Sequence, residues 1–268
     1  MQATKQRRSD MKHIMKLDEE NYCAIENGYK TIELRLYDEK RRQISLGDTI
    51  EFVCSGNNAK TLTRTVKSLH RFESFDELYR NLPLLKCGYT PFTWQYAKSE
   101  DMRRYYTEDQ QKRYGVIAIE FEENFLTKFR VGQAGKLPFC SSYETALEEI
   151  KNGLKTSHWM WYVFPQLKGL TTDPVTEFYA LSDIEQAKQF LCDELLGAHI
   201  KEAASLLLQL HKNDPVSVLG LIDAYKLKSS MTLFDAIYKG DVFSDVLDKF
   251  CLGQRDCITL TLLVEKNI

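Results

Sequence analysis

At 268 residues, with 43% apolar and 28% charged side chains, the chain has the composition of an ordinary globular protein and the length for two domains with cores of their own. Lys and Arg number 36 against 38 Asp and Glu, a net charge of −2, which excludes a strong overall basic field pulling the chain onto nucleic acid. The seven cysteines are scattered, odd in number and never spaced Cys-x-x-Cys, so neither a disulfide framework nor a zinc site is indicated. Free thiols in a reducing compartment, no metal and no cofactor are expected. No apolar run is long enough to span a bilayer and no signal-peptide core is read, which makes the expected localisation cytoplasmic.

Met1 to Met11, with Lys5, Arg7 and Arg8, reads as a basic arm without periodicity. His13 to Leu17 is a short strand, Asp18 an N-cap, and Tyr22 and Ile25 lie on a helix that Gly28 stops in the C′ position. Thr31 to Tyr37 alternates, with Ile32, Leu34 and Leu36 on one parity and Glu33, Arg35 and Tyr37 on the other, as a half-buried strand does. A turn at Ser55-Gly56-Asn57-Asn58 separates strands Thr49–Cys54 and Thr61–Phe72. Ser74 caps a helix ended by Pro83, and an irregular aromatic stretch follows with Tyr89, Phe92, Trp94 and Tyr96. Ser99 opens a polar helix, and Gly115 to Glu122 is a last strand. The first unit is a small barrel-like sheet with helices in its connections.

From Phe125 the periodicity is helical. Ser141-Ser142-Tyr143-Glu144 is a capping box, and helices are expected around 184–191, 199–210, 215–225, 233–239, 243–250 and 259–264. The boundary falls near Glu123, giving domains of 12–123 and 126–268 and an α+β chain: a small β-barrel, then a mostly α-helical domain.

Side chains two apart on a strand share a face, so Glu33 and Arg35 lie side by side with Lys30 at the mouth of the strand. A carboxylate between two cations can be a plain ion-pair ladder on an exposed sheet face, worth little, or the floor of a cleft. The pattern Gly28-x-Lys30-x-x-Glu33-x-Arg35 between a helix and a strand resembles the signature of the ASCH domain, a PUA-like fold, over about His13 to Phe121. The resemblance implies a β-barrel whose cleft is used on RNA or on modified nucleosides and nucleotides. In the acetylcytidine amidohydrolase branch a lysine, a threonine and a glutamate are catalytic. Lys30 matches the lysine and Arg35 the arginine of the signature, and Glu100 is the candidate for the later glutamate. The threonine position holds Glu33, and a carboxylate cannot take over a hydroxyl nucleophile's role without changing the mechanism. A lysine beside it can still hold a carboxylate ionised as a general base. Two functions therefore stand: binding of RNA or a nucleotide-derived ligand, with Lys30 and Arg35 on phosphate and an aromatic such as Trp94 stacking a base, or hydrolysis of a modified nucleoside or RNA by Lys30, Glu33, Arg35 and Glu100.

Ser157-His158-Trp159-Met160-Trp161-Tyr162-Val163-Phe164-Pro165-Gln166, the block Lys226 to Phe234 and the block Val246 to Phe250 make the second unit similar to the family called domain of unknown function 1810, from about Leu126 onward. That family carries no activity over. His158, Trp159, Trp161 and Gln166 read either as a buried aromatic helix or as a stacking pocket for a planar ligand. Lys228, Ser229, Ser230 and Thr232 read either as an ordinary capped helix beginning near Leu233 or as an anion site at its first turn. If both blocks face one cavity, this unit holds a second nucleotide-like ligand.

Overall fold

The alternation of Lys12–Leu17 builds the first strand, β1, in the computed structural model, which describes residues 11–137 and 139–265. All but the last residue of the basic segment at 1–11 lies outside the described residues. The Asp18 side chain accepts from the Asn21 amide at 2.8 Å and starts α1 (Glu19–Glu26), which ends before Gly28 at φ +74°. The chain continues through β2 (Ile32–Leu36), β3 (Thr49–Cys54) and the sixteen-residue β4 (Asn57–Phe72). Ser74 caps α2 (Phe75–Asn81), short 3-10 turns run at Leu84–Cys87, Trp94–Tyr96 and Ser99–Arg104, and α3 (Glu108–Tyr114) leads into β5 (Val116–Phe121).

The five strands form one curled half-barrel sheet in the order β1-β3-β4-β5-β2. β1 runs parallel to β3 and the other neighbours are antiparallel. β4 serves two partners: its first part pairs with β3 and its last with β5, with a register shift between Val66 and Ser68 that leaves Lys67 extra. One face of the sheet buries Met15, Ile50, Phe52, Ile117, Ile119 and Phe121 with Tyr22 and Ile25 of α1. The other buries Ile32, Leu34, Val116 and Ala118 against Phe75 and Leu78 of α2. Consecutive strands β1 and β2 thus occupy opposite edges of the sheet.

The chain divides into two compact units between Asn124 and Phe125. The second is mostly helical: α4 (Thr127–Gln133), α5 (Tyr143–Lys151), α6 (Met160–Val163), α7 (Pro174–Tyr179), α8 (Ile184–Cys192), α9 (Glu194–Gln209), α10 (Pro215–Leu219), α11 (Leu221–Ile237), α12 (Val242–Cys251) and α13 (Cys257–Glu265). Its core is aromatic, with Phe129, Trp159, Tyr162, Tyr179, Phe190, Phe234 and Phe243 fully buried. Together the units make the α+β architecture expected of the sequence.

Two boundaries differ from expectation for local reasons. The segment 215–225 is broken at Gly220, whose φ of +80° ends α10, and α11 then runs unbroken to Ile237. No helix therefore begins at Leu233. The polar helix opened at Ser99 is a 3-10 turn of six residues, and the helix of that region is α3, begun by Thr107, whose side chain accepts from the Gln110 amide.

Candidate functional site

Strand β2 carries Glu33 and Arg35, and the segment leading into it carries Lys30. Glu33 is 4% exposed and Lys30 6%. Lys30 Nζ lies 2.9 Å from Glu33 Oε2 and Arg35 Nε 2.8 Å from Glu33 Oε1. Lys30 also donates to Asn21 Oδ1, and Asn21 Nδ2 donates to Asp18 at 2.9 Å. The Arg35 fork donates to the Lys16 carbonyl at 3.1 Å and reaches the Tyr106 hydroxyl at 3.5 Å. Because Lys16 is on β1 and Arg35 on β2, this guanidinium ties the two edge strands of the half-barrel together. Gly88, at φ +105°, passes so close to Lys30 that a Cβ there would lie 3.1 Å from Lys30 Cδ.

Burial pushes the Glu33 carboxyl up, but the Lys30 ammonium and the Arg35 guanidinium pull it down more strongly, so it sits below the ordinary carboxylate range. Burial likewise works against the charge of Arg35, and Glu33 overrides it, raising the guanidinium further. Beside them, burial pushes the Cys87 thiol up to about 12, which leaves it a neutral wall residue.

The triplet forms the floor of a cavity of about 670 Å³, within the roughly 300–1,000 Å³ of small-molecule sites. Its walls bring in Asp18 and Asn21 of α1, Tyr79 of α2, and Tyr89, Asp101, Arg104, Tyr105 and Tyr106 from the long connection before β5. Tyr79 and Tyr89 join hydroxyls at 2.8 Å, Tyr89 donates to Asp101 at 3.4 Å, and Tyr105 donates to Asp18 at 3.3 Å. Arg104 lies over the Tyr105 ring at 4.8 Å. The lining holds four cations, Lys16, Lys30, Arg35 and Arg104, and four carboxylates, Asp18, Glu20, Glu33 and Asp101, and so has no net charge.

Of the residues singled out in the sequence, Lys30, Glu33 and Arg35 converge here. Glu100 does not: it is exposed and lines a separate depression with Asp76, Ser99 and Arg103, while its neighbour Asp101 faces the cavity. A 3-10 turn advances 120° per residue, so one position along the chain changes the side that a residue faces. Trp94 is outside the cavity lining, Phe92 and Tyr96 are exposed, and Tyr89 is inside it. Asp18 was legible only as a helix cap and Asn21 was not singled out; the doublet Tyr105-Tyr106 was the overlooked signal.

In the second unit the aromatic block is mostly core. Trp159 is fully buried and donates from Nε1 to Glu149 at 2.7 Å. His158 is exposed, ahead of the four-residue α6, and stacks on Trp161 with ring centroids 5.8 Å apart. Gln166 is buried, and its carbonyl accepts from the Leu181 amide at 2.9 Å. Ser229, Ser230 and Thr232 do not cap a helix, contrary to the expectation, because they lie inside α11. Ser229 donates to the Tyr225 carbonyl at 3.1 Å and Thr232 to that of Lys228 at 2.8 Å, the back-bonding by which hydroxyl residues sit within helices. Thr232 also accepts from the Asp256 amide at 2.9 Å, and Asp256 accepts from the Thr259 amide at 3.0 Å, so this block seats α13. Lys228 stands beside the Ser229 and Thr232 hydroxyls committed in this way, whereas Lys226 lies over the Trp161 ring at 5.3 Å and pairs with Asp223 at 3.1 Å.

Residues 123–263 match the family described as Protein of unknown function (DUF1810), over half of the chain. The chain belongs to that family. Ahead of the DUF1810 unit, residues 15–125 match the ASCH domain, which suggests RNA or nucleotide binding at a coarse level. The crystal structure of the conserved hypothetical protein Rv1873 from Mycobacterium tuberculosis is similar at 36% identity, covering 52% of this chain and 96% of that one with a TM-score of 0.48. The solution structure of PF0455 from Pyrococcus furiosus is similar at 39% identity, over 42% and 96%, with a TM-score of 0.33. The crystal structure of hypothetical protein PH0355 is similar at 38% identity, over 42% and 98%, with a TM-score of 0.35. A comparison with curated proteins gave no match. No helix among the described residues is long and apolar enough to cross a membrane.

Proposed function

We propose that the ASCH cavity binds a planar, uncharged nucleotide-derived ligand, a nucleoside or the unstacked base of an RNA, and does so as a binding site rather than a hydrolytic one. The observation that carries this reading is the cancellation of charge in the lining, four cations against four carboxylates. A polyphosphate gains nothing net from such a site, whereas a base with several donors and acceptors finds fixed partners of both kinds among tyrosine, amide and carboxylate groups. Catalysis by Glu33 is disfavoured by the same geometry. A general base works best with a pKa near the working pH, and Glu33 is held below the ordinary carboxylate range by cations on both of its oxygens.

Isothermal titration with the four ribonucleosides and their monophosphates tests the reading. At least one nucleoside is expected to bind with an affinity that salt barely changes, and its monophosphate no more tightly. Tyr105→Ala, which removes an exposed ring at the cavity wall, is expected to cost about 1–3 kcal/mol of that affinity. Failure of every nucleoside to bind, or a nucleoside turnover that Glu33→Gln abolishes, would count against it.

A further inference from the structure

One end of the ASCH sheet gathers guanidinium groups, two of which, Arg42 and Arg71, have no carboxylate partner among the described residues. Arg35 on β2 and Arg71 on β4 both pair with Ile117 of β5, one on each side. Residues opposite one another in a sheet project to one face, so the two arginines stand about 9.6 Å apart, two strand spacings, on the same face. Their uses differ. Arg35 is committed to Glu33 and the Lys16 carbonyl. Arg71 is exposed, and its guanidinium lies 4.3 Å from the centroid of the Tyr37 ring.

Arg42, also exposed, lies over the same ring at 5.5 Å and donates from Nε to the Tyr37 carbonyl at 3.2 Å. Tyr37 follows Arg35 by two residues and continues its face of the strand. Its amide donates to the Gly115 carbonyl at 3.0 Å, and just before Gly115 the exposed Arg113 lies over the Tyr114 ring at 5.0 Å. Among the described residues neither Arg42 nor Arg71 forms an ion pair with a carboxylate, although the adjacent Arg41 is paired with Asp38 at 2.7 Å.

A guanidinium seated on an aromatic face keeps most of its N–H groups outward and loses little further freedom on binding, and its fork matches a phosphate. Flat guanidinium and tyrosine faces are also what unstacked bases rest on. We propose that Arg42 and Arg71, seated on Tyr37, form a phosphate-contacting surface for single-stranded nucleic acid that continues along β2 from the cavity. Only the placement of one base in the cavity rests on the function proposed above. The division of labour follows from charge: the neutral cavity reads a base, and the unpaired arginines supply the attraction for the backbone that the cavity lacks.

Fluorescence anisotropy with a fluorescein-labelled single-stranded RNA of about ten nucleotides, titrated with the full chain over a range of salt, tests this. The Arg42→Ala/Arg71→Ala double variant is expected to bind about tenfold or more weakly, with the slope of log affinity against log salt smaller by about 1.4, two contacts at about 0.7 each. The corresponding double lysine variant should keep the slope and lose part of the affinity. Neither arginine lines the cavity, so nucleoside binding should be unchanged in both. Absence of RNA binding by the unaltered chain, or equal binding by the alanine variant, overturns the proposal. So does equally tight, arginine-dependent binding of polyglutamate, which would make this a surface for an acidic protein. Arginine-dependent RNA binding without any nucleoside binding would support this surface and refute the cavity reading.

Discussion

Glu33→Ala should lower the stability of the ASCH unit by about 3–5 kcal/mol, because it strips the counter-charge from the buried Lys30 and the half-buried Arg35. Lys30 would keep only Asn21, and Arg35 the Lys16 carbonyl and the distant Tyr106 hydroxyl. Two linked units need not unfold in one step, so the measurement of choice is amide exchange on β2 and β5, which isolates this sheet. Glu33→Gln, which keeps the shape and loses the charge, should cost less. Acid provides a second test. The Glu33 carboxyl is lowered in the folded state, so its contribution is fully present above the unfolded carboxylate value of about 4.3 and is lost as pH falls from there through the folded value. The difference between the unaltered chain and Glu33→Gln should therefore shrink as pH is lowered below about 4. Exchange at β2 and β5 that Glu33→Ala leaves unchanged would return these charges to the ladder of little worth.

Glu149→Ala should cost the DUF1810 unit about 1–3 kcal/mol by leaving the buried Trp159 indole and its more exposed neighbours Thr156 and Ser157 without their common acceptor. This carboxylate accepts from the Thr156 amide at 2.9 Å, the Thr156 hydroxyl at 2.7 Å, the Ser157 amide at 3.2 Å and the Trp159 indole at 2.7 Å. Burial raises its pKa, yet the bonds from Thr156, Trp159 and Ser157 outweigh that and bring it down to about 2. Since the folded value is the lower one, stability conferred by Glu149 holds above about 4.3 and is lost between there and pH 2. Amide exchange on α5 and α6, read beside indole fluorescence, reports it. An unshifted exchange free energy in the variant would mean that the segment before α6 is held by Trp159 packing alone.

Much of the ASCH unit was legible because its rules are local. The parity of Glu33, Arg35 and Tyr37 gave their common face, and the glycine at position 28, which takes a positive φ, gave the end of α1. The depth of Glu33 was not legible, since alternation tells which face a residue is on but not what covers it. The turn after β3 was read two residues too long. Ser55 and Gly56 alone make it, and the Asn57 backbone already pairs with Cys54. Asparagines signal turns because their side chains bond to nearby backbone, a tendency that sheet pairing overrides here. Glu100 was named as the match to the family's later glutamate, and nothing in the sequence tells that in the 3-10 turn its neighbour Asp101 is the carboxylate on the cavity side. In the DUF1810 unit, Ser229 to Thr232 look like a helix start to any rule based on hydroxyl residues. Only the tertiary bond between Thr232 and Asp256 shows that they hold a neighbouring helix instead.

The extra residue in β4 has a bearing on the cavity it never touches. A bulge sharpens the local twist of a strand, and the one at Lys67 lies where β4 passes from β3 to β5, the hinge about which the half-barrel curls. The two outermost strands both contribute to the cavity, Lys16 and Leu17 from β1 and Glu33 to Arg35 from β2, so its width follows how far the sheet bends. A one-residue deletion at Lys67 would flatten the curl and draw β1 and β2 apart, parting Arg35 from the Lys16 carbonyl. Relatives of this chain that differ in the bulge alone would then hold ligands of different size with an identical set of lining side chains.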